Sequence, residues 1–531
     1  PSAEYGDLTS GAVVVNTKAG QTPFEVRLKL NPSTFNTSLG KGFKVSRKGG
    51  HMNVNADYAR ASGDPRVKNR SFDRISGGIT YSNTFNRIWY TNTKINFSNL
   101  IDMRTTDPDV IVEGTETSQK QNTIRLSHNG KLSFNKKLSR TLSYALGFSA
   151  SQNDSRTSAI VAADGGLAVI SSLTDGYYQV PYITESYRAE GGNTSTPRTF
   201  YSKASNMFYA NTEHLKQRFN MGVEYKYETN DARGFFNYDD EKPLRPNSNG
   251  RPRPYYEIPD LSQLSGFFED NITWNISEQV EFKLQAGVRF DMLQMGLPEH
   301  VASVSPRLNA SLKLTPWITL RGGWGQNSKT PGLAHLYPEK KYTDRLAASY
   351  LPSDPSKQLV LYNVKVTEVE RNNNLKNATN TKSEVGVDLN FKNGMSFSIV
   401  GYNDKMANGF GSLIEYDIYN ANYYALGQGI KTDAEGNPVI EWDNPARVDT
   451  VFTTNGRIGN TKSSLDRGVE YDFNLGRIHK LNTTIFVSGA YMETQLWDCG
   501  PSYSNPVGIP AGSVYAQGEG NTPPFKLLYP S

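Results

Sequence analysis

Long runs of strict period-two alternation constrain this chain more than any other feature. Phe219, Met221, Val223, Tyr225 and Tyr227 alternate with Asn220, Gly222, Glu224, Lys226 and Glu228. Phe282, Leu284, Ala286, Val288, Phe290 and Met292 alternate with Lys283, Gln285, Gly287, Arg289 and Asp291. The rhythm returns at Leu308, Ala310, Leu312 and Leu314, at Val385, Val387, Leu389 and Phe391, and at Val469, Tyr471, Phe473 and Leu475. A strand turns successive side chains to opposite faces, so each run has one apolar row and one polar or charged row. The strands of a soluble sandwich are usually about five or six residues long. These runs approach the roughly ten residues that a tilted strand needs to cross a bilayer, and several carry an aromatic near one end, as an interfacial girdle requires. The expected fold class is therefore all-β, a transmembrane antiparallel β-barrel. Its register puts Phe282, Leu284, Val288, Phe290, Leu308, Leu312, Leu314, Val385, Val387, Leu389, Val469 and Phe473 against lipid. Lys283, Arg289, Arg307, Lys313, Asp388, Glu470 and Asp472 then face the lumen. A charge on the lipid side costs roughly 2–4 kcal/mol at mid-bilayer, which fixes that register.

The connections also alternate. Short turns are expected at Asn86-Arg87, Lys136-Lys137, Asn275 to Glu278, Thr315-Pro316, Asn393-Gly394 and Arg477 to Lys480. Long polar loops are expected near 154–198, 230–260, 330–380 and 407–465. Short turns on one side and long loops on the other is the asymmetry of outer-membrane barrels. The pattern gives roughly sixteen strands between residues 23 and 497. Composition agrees: hydrophobic residues are 37%, yet Tyr (30), Phe (24) and Gly (46) are abundant. A polar lumen and polar loops keep the average hydropathy low. No window approaches the roughly 18 apolar residues of a membrane-crossing helix, which excludes helical membrane proteins and says nothing against a barrel.

The first twenty residues break the rhythm. Ala12, Val13, Val14 and Val15 form an unbroken apolar run after Gly11. Such a run is a strand buried on both faces. Residues 1–20 are read as the end of a small separate domain, and 21–531 as the barrel with its loops. The chain opens PSAEYGD, without the basic and apolar regions of a secretory leader, so its start is expected to be incomplete. From Asp498 onward there is no ten-residue alternation, and the C-terminal strands are expected to be missing.

YGDLTSGAVVVNTKAG (Tyr5 to Gly20) resembles the closing motif of the plug domain of TonB-dependent outer-membrane receptors, with Tyr5, Gly6, Gly11, Thr17 and Lys18 in the family's places. Ser305 to Pro338, with two strands, a short turn and a loop carrying Pro and Leu-Tyr, is similar to the family's mid-barrel segment. NNNLKNATNTKSEVGVDLNF and SSLDRGVEYDFNL resemble a later loop and two later strands. The chain is thus similar from end to end to a TonB-dependent receptor of the Bacteroidetes-like kind. That resemblance implies a barrel of twenty-two strands, about sixteen of them here, filled by an N-terminal plug. It implies active import of a scarce nutrient such as a metal chelate, cobalamin, a peptide or a glycan. TonB and its inner-membrane energising complex would act through a segment not present here. The implied location is the outer membrane of a Gram-negative bacterium. Outer-membrane lipid and a surface-exposed lipoprotein are further partners it allows. Starch-utilisation importers commonly read YGSRAANGVI at this motif, and Asp7, Leu8 and Thr9 differ. The alternative function is a passive porin, or a structural barrel scaffolding an envelope complex.

Enzymatic signatures are lacking. His51, His128, His214, His300, His335 and His479 include no two within four residues, so no metal pair is visible. There is no Gly-x-Ser-x-Gly elbow. Gly325 to Thr330 superficially resembles a phosphate loop but lacks the Gly before its Lys. Asp107 and Asp109 flank Pro108 in a loop and read as surface solvation rather than a cation site. Cys499, the single cysteine, has no partner within the sequence. Lys and Arg are dispersed, which argues against nucleic acid. No catalytic residue, metal or cofactor is assigned. The candidate ligand contacts are loop aromatics: Tyr177, Tyr178, Tyr182 and Tyr187 in the first long loop, Phe235, Phe236, Tyr238, Tyr255 and Tyr256 in the second, and Tyr416, Tyr419, Tyr423 and Tyr424 in the fourth. Aromatics give large contact area at small entropic cost. The competing reading is that they pack the loops against one another.

Overall fold

Long alternating strands satisfy their backbone groups by pairing with their sequence neighbours. The computed structural model describes residues 2–7, 17, 19–63, 69–106, 114–134, 140–246, 251–294, 301–391, 394–413, 416–454, 456–478, 480–500, 502–504 and 526–528. One sheet of 19 strands dominates. Two of these, Tyr187–Ser195 and Gly234–Asn237, extend it above the wall. The other seventeen form the wall. They are β1 (Thr22–Asn31), β2 (Thr34–Lys44), β3 (His51–Ala61), β4 (Arg70–Phe85), β5 (Trp89–Arg104), β6 (Glu116–Ser133), β7 (Thr141–Val161), β8 (Pro197–Asn211) and β9 (Leu215–Asn230). There follow β10 (Leu261–Asn275), β11 (Glu281–Gln294), β12 (Val301–Thr315), β13 (Ile318–Lys329), β14 (Ala378–Asn390), β15 (Ser396–Leu413), β16 (Arg457–Ile478) and β17 (Thr483–Asp498). Each pairs antiparallel with the next, from β1–β2 through β16–β17. Among the described residues no pairing joins β1 to β17.

The faces separate as the alternation requires. Val288, Phe290, Leu308, Leu314, Val385 and Val469 are exposed on one face, Val385 at 71%. Their alternates Arg289 and Arg307 are buried on the other, at 0% and 5%, against residues 2–7. The face holding the N-terminal segment is the lumen, so the apolar face is the outer wall. Aromatics crowd the short-turn end: Phe85 with Trp89, Trp274, and Trp317 stacked on Phe391 with centroids 5.9 Å apart. That is one interfacial girdle. The Asn86-Arg87 turn has both φ angles positive (49° and 60°) and closes with the Ile88 N–H on the Phe85 carbonyl, the hairpin type whose twist matches its strands. The described part of Arg477 to Lys480 lies at the same end, whereas Lys136, Lys137, Asn393 and His479 lie outside the described residues.

Three boundaries differ from expectation, one of them the start of β16 at Arg457, inside the loop expected over 407–465. β7 continues to Val161 and pairs there with Tyr187–Ser195, where a loop was expected from residue 154. β15 runs to Leu413, where a loop was expected from 407. Above the bilayer both faces of a strand meet water, so the apolar row ends although the ladder does not. The long connections are also not plain loops. Gly176–Gln179, Leu359–Thr367 and Lys341–Tyr350 form a three-stranded sheet that unites the first and third of them. Tyr416–Tyr423 pairs with Arg447–Thr454 in the fourth. No described helix is long and apolar enough to cross a membrane.

Candidate functional site

Two arrangements meet at the upper, long-loop end of the lumen. The first is the grip of the wall on residues 2–7. The Ser2 hydroxyl (2.6 Å) and the Ala3 N–H (2.9 Å) donate to Glu269 Oε2 on β10. Lys203 on β8 pairs with Glu4 at 2.8 Å. Arg289 on β11 donates to the Glu4 carbonyl, and Arg307 on β12 to the carbonyls of Ser2 and Tyr5. Arg289 is itself held by Asp291 at 2.8 Å and Glu224 at 3.2 Å. A buried guanidinium is tolerated only with such partners, and these carboxylates fix its direction. Asp7 takes Lys329 Nζ at 2.8 Å and, from Thr330, the N–H at 3.1 Å and the hydroxyl at 2.9 Å. Further along, the Thr17 carbonyl accepts from Asn92 on β5, and the Ala19 and Gly20 N–H groups donate to Ser82 and Asn53. Of the plug-end motif, Tyr5, Gly6 and Thr17 are therefore placed on the inner wall. Gly11, Lys18 and the apolar run lie outside the described residues.

The second arrangement is a cap built from the long connections. Ala347, Ala348, Leu359, Leu361, Tyr424 and Ile430 form one buried core. Ile170, Val180, Val360 and Val364 form another on the opposite face of Leu359–Thr367. Alternation thus buries both faces of this strand, which the sequence reading left inside a loop. Arg251 bolts the second long connection to the first and third. It donates to the carbonyls of Ile170 (2.7 Å) and Ser172 (3.1 Å), pairs with Asp344 (2.9 Å) and lies over the Tyr342 ring. Burial pushes the Asp344 carboxyl above its ordinary range, with Arg251 opposing. Asp175 goes the other way: burial would raise it, but Lys365 Nζ and the Val366 N–H outweigh that and hold it low. Beneath the cap, Leu336 packs with Leu261, Leu293 and Leu375. His335 stacks on Phe410, and burial with nearby Lys329 lowers its pKa.

Most of the sequence-nominated aromatics have packing partners in this cap. Tyr177 meets Tyr424 and Trp442 edge-on and accepts the Asn422 N–H. Tyr178 and Tyr182 pack on the second core, with hydroxyls on the Asp175 and Gly165 carbonyls. Tyr187 is buried and donates to the Pro243 carbonyl. Phe235, Phe236, Tyr238 and Tyr423 each carry an arginine over the ring, from Arg245, Arg233, Arg156 and Arg447. Tyr419 is half-buried, and burial raises its hydroxyl pKa. Tyr238 (54%) and Tyr256 (61%) are the most open, and Tyr255 is partly exposed. The side chain of Tyr416 lies outside the described ones. Sequence reasoning does not single out Arg251, Asp344, Lys203 or Glu269, and it weighs Asp7's partners Lys329 and Thr330 only as part of a superficial phosphate-loop resemblance. Charged residues at such positions look like any solvated loop or lumen group until the fold juxtaposes them. No group of metal-binding side chains occurs among the described residues.

The family model described as "TonB dependent receptor-like, beta-barrel" matches residues 26–527. No curated protein matches the sequence. Among solved structures, the siderophore receptor PirA from Pseudomonas aeruginosa is 12% identical with a TM-score of 0.54, over 94% of this chain and 71% of that one. PirA from Acinetobacter baumannii is 14% identical with a TM-score of 0.53, over 92% and 65%. The RagAB peptide transporter is 12% identical with a TM-score of 0.50, over 87% of this chain and 51% of that one. At such identities the likeness is one of fold.

Proposed function

We propose that this chain, which belongs to the family of TonB-dependent receptor-like β-barrels, imports a scarce nutrient across the outer membrane of a Gram-negative bacterium with energy delivered by TonB. Members of this family are transporters and not enzymes. The observation that carries the reading is residues 2–7 bound by polar side chains of β8–β13 inside the wall, in the stretch of chain that precedes the first barrel strand. A simple passive pore needs no such segment held on its inner wall. An outer membrane holds no ATP and no maintained ion gradient. Uphill import through a wide barrel therefore needs a removable seal and a mechanical source of energy.

The cargo class stays broad: a metal chelate, cobalamin, a peptide or a glycan. Solved barrels of similar fold are named for siderophores and for peptide, in keeping with that range. Cargo recognition is assigned to the long connections, above all 154–198 and 407–465, because rigid strands present variable loops. Tyr238 and Tyr256 are the nominated aromatics most available to it. The test is growth and uptake in a strain deleted for the gene, supplied in turn with each cargo class, with and without TonB. Loss of uptake of one class, reproduced by removing TonB, is expected. Unchanged uptake of every class would sink the import reading, and TonB-independent uptake would favour a passive pore.

A further inference from the structure

We propose that Asp7 is a latch joining the plug-end segment to the root of the 330–377 connection, so that this segment and the extracellular cap report on each other. The inference rests on the import reading only for its purpose, since the contacts stand without it. Asp7 is one of five described non-glycine residues with positive φ, at 57°. A left-handed non-glycine residue warrants a search for what holds it. Here the hold is visible on both sides. Gly6 lies so close to Arg289 that a Cβ there would stand 1.8 Å from Nε. That guanidinium is fully buried between Asp291 and Glu224 and cannot give way. The wall thus bends the chain at Gly6 and turns the Asp7 carboxylate to the end of β13. There it collects three donors: the Lys329 ammonium, the Thr330 N–H and the Thr330 hydroxyl.

Thr330 is no free loop residue. It is 6% exposed, and Pro331 after it is fully buried. The short helix Leu333–Leu336 follows and buries Leu336 against Leu261, Leu293 and Leu375. Arg253 then binds the Tyr337 carbonyl and Glu339. Five residues after Glu339, Asp344 is clamped by Arg251, which also holds the first long connection. Packed or bonded residues therefore recur along the chain from Thr330, held by Asp7, to the cap. Such a path couples two sites when both bias one element with two states, and the coupling is reciprocal. The element is the Asp7–Thr330 contact, made or broken.

The test uses the full-length protein in lipid nanodiscs without cargo, read by amide hydrogen exchange. D7A should accelerate exchange at Thr330 and through 333–350 about tenfold, because a hydrogen bond to a charged group is worth about that factor. T330V should in turn accelerate exchange at residues 4–7. The double variant should show less than the product of the two effects. β3–β6 should not change in either variant, and heat-shifted migration of the barrel on a gel shows that it has folded. If D7A loosens only residues near position 7 and leaves 333–350 at its original rate, the latch does not exist. Because no transport is measured, that result would leave the import reading untouched.

Discussion

Removing Arg251 should loosen the cap and spare the barrel. Its side chain is 3% exposed and that of Asp344 7%. Truncation to alanine leaves a buried carboxylate unpaired and takes donors from the Ile170 and Ser172 carbonyls. Breaking a buried pair from one side costs about 3–5 kcal/mol. In hydrogen exchange that is about two to four orders of magnitude of protection, lost from Lys341–Tyr350, Leu359–Thr367 and Gly176–Gln179. The wall strands should keep theirs, since the cap's cores contain no wall residue. The deficit should also depend on pH. The folded-state pKa of Asp344 is already raised, so its stability contribution is greatest below the ordinary carboxylate value and falls as pH rises through the folded one. Without Arg251 that rise becomes larger. The R251A deficit should therefore be widest near neutral pH and shrink on acidification. R251A/D344N, which removes the orphan charge, should recover part of the loss at neutral pH. Less than about a tenfold change in R251A, or equal loosening of β10–β13, would refute the keystone role.

Asp175 should give the opposite pH response. Its folded pKa is depressed, so the docking it provides is complete above the ordinary carboxylate value and is lost as pH falls through the lower folded one. Corrected exchange of the Val366 amide should rise on that descent, and D175N should abolish the dependence. Val385→Lys places a charge on the outer wall and should destabilise folding into bilayers by about 2–4 kcal/mol, whereas Gln285→Lys on the lumenal face should cost no more than about 0.5–1.5 kcal/mol, the worth of the hydrogen bond it accepts from Asn309. Equal costs in a urea titration would overturn the assigned faces. Gly6→Ala should free residues 2–7 from the wall, seen as new protease cleavage there, because the clash is with a fully buried Arg289.

The sequence shows the wall clearly and the cap hardly at all. Within the bilayer each strand has one apolar face, so Phe282 to Met292 and Val385 to Phe391 announce both strand and facing. Above the bilayer that contrast is gone. Residues 154–161 and 407–413 continue their ladders without an apolar row opposed to a polar row and read as loop. Leu359-Val360-Leu361 is an apolar run bounded by polar residues, and it could have been taken for a strand buried on both faces. The loop aromatics carry two meanings. Tyr177 and Tyr424 interlock inside a core, whereas Tyr256 stands open, and nothing in their sequence surroundings separates the two cases. The grip on residues 2–7 was invisible because it joins positions more than 190 apart, such as Glu4 and Lys203.

The two halves of the site are held by different physics, and that difference suits them to different motions. Residues 2–7 meet the wall through carboxylates, guanidinium groups and carbonyls, with Ala3 their only buried apolar side chain. Each such bond exchanges for bonds to water when it breaks, so its net worth is about 0.5–1.5 kcal/mol, or about 1.5–3 where a charge takes part. The segment can therefore leave the wall one contact at a time while exposing little apolar surface beyond Ala3 and the Tyr5 ring. The cap is held instead by two apolar cores on either face of Leu359–Thr367. Opening it would expose Leu359, Leu361, Val360 and Val364 together, at about 1.5–3 kcal/mol for each fully buried side chain. A force applied through residues 2–7 thus meets a peelable polar seam below and a cohesive unit above. The cap should move as one body about its roots rather than unravel. A disulfide joining Gly176–Gln179 to Leu359–Thr367 should then leave uptake intact, whereas one locking residues 2–7 to β10 should abolish it. Blocked uptake with the first crosslink would show that the cap must come apart for cargo to enter.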